Sequence, residues 1–137
     1  MLSNGAKKYI DLLFASYLST NKYFTYTPTL VYADTKPEHL LVDPITNKLT
    51  GVIDWGNVRI GDPDHDFKHL YMYLGDACIL DLLKHFPNIE APFILRKLDL
   101  FSRLDDVHGL LHGITTHDRV FQNNYIFEIE KKSTEIV

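Results

Sequence analysis

After the Gly61-Asp62-Pro63 turn the hydrophobic rhythm of the chain changes period, from short β-type runs to a helical repeat that holds through the residues that follow. That switch limits the possible folds more than any other feature. The helical stretches expected after it are about 64–75, 77–86, 91–112 and 117–132, with breaks at Gly75, at Pro87–Pro92 and at Gly113. Pro63 and Pro92 both suit a first helical turn, where a missing N–H is harmless. Ahead of the switch, residues 5–20 place Tyr9, Leu12, Leu13, Ser16 and Tyr17 on one helical face. Residues 29–54 then read as TLVYAD, HLLVD and KLTGVIDWG, punctuated by Pro37, by the turn Asp43–Lys48 and by Gly51 and Gly56. HLLVD and LTGVID, either side of that turn, predict a β-hairpin. The expected fold is α+β and mostly helical: one helix, a small β-hairpin segment, then about four helices. With 137 residues and no repeat or linker to divide them, a single domain over 1–137 is expected.

Composition narrows the function classes. Eighteen acidic against fourteen basic residues give a net charge of −4, which disfavours sequence-independent nucleic-acid binding and leaves cationic partners open. A lone Cys78 excludes an internal disulfide framework and reads as a small buried hydrophobe. No apolar run approaches the roughly 18 residues of a membrane span, so a soluble, cytoplasmic protein without a membrane partner is expected.

The chemistry concentrates in LVYADTKPEHLLVDPITNKLTGVIDWGNVRIGDPDHD, residues 30–66. Asp34 follows an apolar run, His39 comes five residues later, and Asp54 ends the strand VID. A hairpin that returns the chain from His39 to Asp54 brings those side chains to one end of the β segment, with Asp34 on the adjoining loop. Two carboxylates and an imidazole then offer oxygen and nitrogen ligands to a divalent ion and leave a group to orient a nucleophile.

The run D-T-K-P-E-H-L-L-V-D followed by I-D-W-G resembles the catalytic loop and metal motif of the protein-kinase-like superfamily. The continuation I-G-D-P-D-H-D is similar to that of the aminoglycoside phosphotransferase branch. The resemblance implies ATP-dependent transfer of a γ-phosphoryl group to a hydroxyl of a small, possibly cationic molecule, with Mg²⁺ and ATP as cofactors. It implies catalytic Asp34 and Lys36, metal-binding His39 and Asp54, and structural support from Asp62 and Asp66. Tyr32, Ala33 and His39 depart from the family loop, which has His, then Gly, Asn or Arg, and Asn at those places. Nothing in the sequence matches the family's nucleotide-covering lobe. The chain therefore reads as the C-terminal lobe alone, truncated and inactive by itself, its partner being a missing N-lobe or a second copy.

Other readings stand beside this one. The same lobe could be a non-catalytic remnant that binds a small ligand or a protein. His65 and His69, four apart, could begin the metal site of a hydrolase. His108 and His112 suit a helix end capped by Gly113. Asp99, Asp105 and Asp106 read as a solvated helix face or as an acidic pocket lining. Trp55 is expected to pack at the metal motif, and Tyr23, Phe24, Tyr26 and Trp55 to form an exposed apolar surface.

Overall fold

The structure is a computed structural model that describes residues 1–135. Its elements run α1 (Asn4–Ser19), β1 (Thr29–Val31), β2 (Leu40–Val42), β3 (Leu49–Val52), β4 (Arg59–Gly61), α2 (His65–Leu82), α3 (Ala91–Thr115) and α4 (Arg119–Thr134). The chain is thus mostly helical with a small β segment, as the periodicity predicts. No helix among the described residues is long and apolar enough to cross a membrane. The residues group into two compact units, one of residues 1–24 with the chain from Leu100 onward, the other Thr25–Asp99.

In the first unit, α1 starts where Ser3 accepts a hydrogen bond from the Ala6 N–H, satisfying one of the open donors of the first turn. Ser3 is itself held by Glu130 of α4, through its N–H at 2.6 Å and its hydroxyl at 2.7 Å. The buried face of α1 is Ala6, Tyr9 and Leu13, whereas Leu12, expected inside, is 52% exposed. Tyr23 is also buried, its ring stacked 6.0 Å from Tyr17, so it leaves the expected exposed surface.

Two further expectations fail in this unit. Helix α3 does not stop at Gly113 but continues to Thr115. A Cβ on Gly113 would lie 2.9 Å from the Gln122 backbone nitrogen, and one on Gly109 2.3 Å from the Tyr125 ring. Both glycines therefore serve the close approach of α4. Termination falls to His117, at φ 60°, and Asp118 then caps α4 by accepting from the Phe121 N–H. Asp106 is neither solvated nor a pocket lining: it is buried and pairs with Lys132 at 2.6 Å.

The second unit holds two antiparallel strand pairs. One is the expected hairpin, with Leu40 opposite Val52, Leu41 opposite Gly51 and a register shift before Val42. Its turn is organised by Asp43, whose Oδ1 accepts from the N–H groups of Ile45 and Thr46, both at 2.8 Å. The other joins β1 to β4, Thr29 opposite Gly61, and is not apparent in the sequence. Gly75, at φ 73° and ψ −174°, kinks α2 where a helix break is expected. Cys78 is half-buried, not buried as expected. Val31, Ile79, Ile94 and Leu98 form the apolar core, alongside buried Asp34, Asp62, His69 and Lys97. Four buried polar side chains in so small a unit must be paired to be tolerated, and their pairing shapes the site.

Candidate active site

The loop after β1 turns sharply at Ala33, which sits in the left-handed region at φ 62°. A residue with a Cβ is strained there, so something must hold it. Asp66, in the first turn of α2, does so from both sides of Asp34. Its Oδ1 accepts the Ala33 N–H at 2.7 Å, and its carbonyl accepts the Thr35 hydroxyl at 2.8 Å. Tyr32 fastens the other side of the loop by donating its hydroxyl to the Ile53 carbonyl, and its ring packs 5.2 Å from Trp55. Tyr32 thus supplies a loop contact where it departs from the family pattern.

Asp34 is 4% exposed and is surrounded by donors. Lys36 Nζ lies 3.0 Å from its Oδ1, and Asn57 Nδ2 donates to its Oδ2 at 3.1 Å. His39 Nδ1 approaches Oδ2 to 3.5 Å, and His69 Nδ1 approaches Oδ1 to 3.5 Å. Burial pushes the Asp34 carboxyl up, but the hydrogen bond and charge of Lys36, the bond from Asn57 and the charge of His69 outweigh it and hold it below its ordinary range. For Lys36, burial pulls down while the bond to Asp34 and its charge pull harder, so its pKa is raised. The pair is charged at neutral pH.

His39 closes the short 3₁₀ turn Pro37–His39 and places Nδ1 2.9 Å from the Asp34 carbonyl. A carbonyl only accepts, so Nδ1 is the donor of this contact and Nε2 is the nitrogen left for a metal ion. Nε2 points toward Asp54, 3.7 Å from Oδ2. Asp54 itself is left-handed, at φ 59°, and its side chain is 61% exposed. One ligand atom each from Asp34, His39 and Asp54 falls within 4.8 Å of the others. Two carboxylates and an imidazole whose second nitrogen is anchored suit a divalent ion. His65 and His69 join no such cluster among the described residues.

Asp62 and Asp64 face Lys97 of α3, whose Nζ lies 2.6 Å from a carboxylate oxygen of each. Lys97 is 2% exposed. Burial alone lowers its pKa, yet hydrogen bonds to Asp62 and Asp64 outweigh that and raise it. Asp62 and Asp66 are legible in the sequence, His69 only as half of a histidine pair, and Asn57 and Lys97 are not marked by any motif. Lys97 left one readable signal: it falls three residues after Ile94 and one before Leu98, at a core position of the helical repeat.

Residues 7–92 match the phosphotransferase enzyme family. The chain belongs to that family. Among solved structures it is similar to aminoglycoside 2'-phosphotransferase-IIIa in its GDP complex, with 28% identity and a TM-score of 0.89, covering 99% of this chain and 46% of that one. The complex of APH(2")-IIIa with GDP and kanamycin gives 29% identity and a TM-score of 0.90, with 99% and 46% covered. The gentamicin complex of APH(2")-IIa gives 25% identity and 0.73, with 93% and 44% covered. The chain spans less than half the length of these phosphotransferases and corresponds to their C-terminal portion.

Proposed function

We propose that this chain is the metal-binding and acceptor-binding part of an ATP-dependent phosphotransferase that moves a γ-phosphoryl group onto a hydroxyl of a small cationic molecule. The observation that carries the reading is the convergence of Asp34, His39 and Asp54, in family order, on a space the size of one ion. Asp34 accepts a hydrogen bond from the substrate hydroxyl and orients it for in-line attack, its carboxylate being charged and fixed. Lys36, whose side chain is 33% exposed beside it, is free to swing toward the transferred phosphoryl group. His39 Nε2 and Asp54 hold Mg²⁺, which when bound neutralises charge on the nucleotide phosphates. Asp62 and Asp66 support the loop through the contacts described above. The complexes with kanamycin and gentamicin favour an aminoglycoside-like acceptor, and the acidic balance of this chain suits a polycation.

The 137-residue chain alone is inactive on this reading, because among the described residues no strand lysine or covering loop is placed to grip the triphosphate, and positioning supplies much of the rate in phosphoryl transfer. Its partner is a nucleotide-covering lobe that seats on the exposed apolar side chains of the hairpin and its neighbours, such as Leu41, Leu49, Ile53 and Trp55. Without that lobe the same surface drives self-association. GTP stands beside ATP as a donor to test, since the matched phosphotransferases include GDP complexes as well as an ADP-bound one.

Calorimetry with Mg·ATP and Mg·GTP tests donor binding, and a coupled nucleotide-release assay tests turnover once an N-lobe is supplied in trans. Turnover should appear only with the lobe and fall about 100-fold or more in Asp34→Ala and Asp54→Ala. Unchanged turnover in Asp54→Ala would overturn the assignment. Ligand binding without any nucleotide effect would instead favour the non-catalytic remnant.

A further inference from the structure

The four groups around Asp34 do not have equal freedom once a reaction begins. On the proposed reading, Lys36 leaves for the phosphoryl group and His39 turns its working nitrogen to the ion. Asn57 stays on Oδ2. On Oδ1 only His69 then remains of the groups described, and it differs in kind from Lys36: it is 5% exposed and rises from a helix, with its Nδ1 3.5 Å from that oxygen. At that distance the buried nitrogen faces the carboxylate without a closed hydrogen bond, and a small turn of either side chain closes it.

Helix α2 gives His69 its placement. Asp66 and His69 lie three residues apart and so share one face of the helix. Asp66 grips the backbone at Ala33 and the side chain of Thr35, while His69 addresses the carboxylate between them. One helix face thereby fixes both the path of the loop and the rotation of its acidic side chain. Neither histidine spacing nor the family motifs mark His69 for this, and among the described residues it joins no three-residue cation cluster.

We propose that His69 is a positioning residue: its Nδ1–H holds Oδ1 of Asp34 so that Oδ2 faces the His39–Asp54 space whether or not Lys36 is engaged elsewhere. This rests on the phosphotransferase reading for its purpose, but not for its geometry. In the nucleotide-free chain the fixed carboxylate supplies the third ligand atom of the cation cluster, and groups that hydrogen-bond a ligating carboxylate commonly set metal affinity by tenfold or more.

The test uses the full chain, Mn²⁺ as probe and two readouts. Long-range ¹H–¹⁵N spectra of the imidazoles, assigned with His69→Asn and His69→Leu, should show the proton of His69 on Nδ1, and Asp34→Ala should shift that nitrogen. Mn²⁺ titration followed by electron paramagnetic resonance should show about tenfold weaker binding in His69→Leu. Binding should recover to within about twofold in His69→Asn, whose amide donor sits near the Nδ1 position. In the Asp34→Ala background His69→Leu should add nothing, because two groups acting through one contact are not additive. A His69 nitrogen indifferent to Asp34→Ala overturns the proposal, as does an equal effect of His69→Leu with and without Asp34. Should wild type bind no Mn²⁺, the phosphotransferase reading fails, and the nitrogen spectra alone still decide the His69–Asp34 contact. If His69→Leu does not fold, wild type and His69→Asn carry both measurements.

Discussion

Replacing Lys97 by Met tests how the motif Gly61–Asp66 is held. The ammonium group lies 2.6 Å from Asp62 and from Asp64, and the side chains of Lys97, Asp62 and Asp64 are 2%, 6% and 14% exposed. Met keeps the apolar stem and removes the charge, leaving two neighbouring carboxylates poorly hydrated and mutually repelling. Breaking a buried ion pair on one side costs about 3–5 kcal/mol. The partial access of Asp64 to water argues for the lower end, about 3 kcal/mol. With a urea slope of about 1.5 kcal/mol per molar, the unfolding midpoint should drop by about 2 M. Far-ultraviolet circular dichroism and the fluorescence of Trp55, the sole tryptophan and a member of the same unit, provide two probes. Combining Lys97→Met with Asp62→Asn and Asp64→Asn should restore more than half the loss, since no charge then remains to desolvate. The pH dependence supplies a sign. The folded pKa of Lys97 is raised above 10.5, so its contribution is fully present below pH 10.5 and is lost as pH rises through the folded value. Wild type should show that alkaline loss and Lys97→Met should lack it. A penalty under about 1 kcal/mol, or no recovery in the triple variant, would refute the reasoning.

Ala33→Gly should stabilise the chain by about 1 kcal/mol, since glycine adopts φ 62° without a Cβ penalty; a lowered urea midpoint would contradict it. Gly109→Ala should destabilise despite its gain in helix propensity, because the new Cβ meets the Tyr125 ring at 2.3 Å; the same thermal melt on Gly109→Ala with Tyr125→Ala should show part of the loss relieved. Mn²⁺ should bind the isolated chain weakly and more tightly than Mg²⁺, as His39 supplies nitrogen to a site otherwise of oxygen, and Asp54→Ala should abolish the paramagnetic signal of the bound ion. In sedimentation experiments the isolated chain should self-associate at high concentration, and Leu41→Lys with Leu49→Lys should abolish this; a strictly monomeric wild type would contradict it.

Residue types and local spacing determined much of this protein on their own. The hairpin follows from two β-type runs around a turn whose Asp43 organises its own backbone, the kink from Gly75, and the start of α3 from Pro92, whereas Pro63 falls just ahead of the Asp64 cap of α2; each depends on neighbours a few residues away. The residues brought together at the cation cluster were legible for the same reason, because a hairpin is a local device that returns His39 to Asp54. What only the tertiary structure decided concerns approach between distant segments. Gly113 looks like a helix stop in sequence, yet it is a contact surface, because α4 comes so close that a Cβ there would lie 2.9 Å from the Gln122 nitrogen. Strand pairing of β1 with β4 and the ion triad of Lys97 each join residues about thirty apart, where no local periodicity carries the signal. In each case burial makes the pairing obligatory: a charge or an open backbone donor removed from water must find a partner, and only the packed chain reveals which partner it finds.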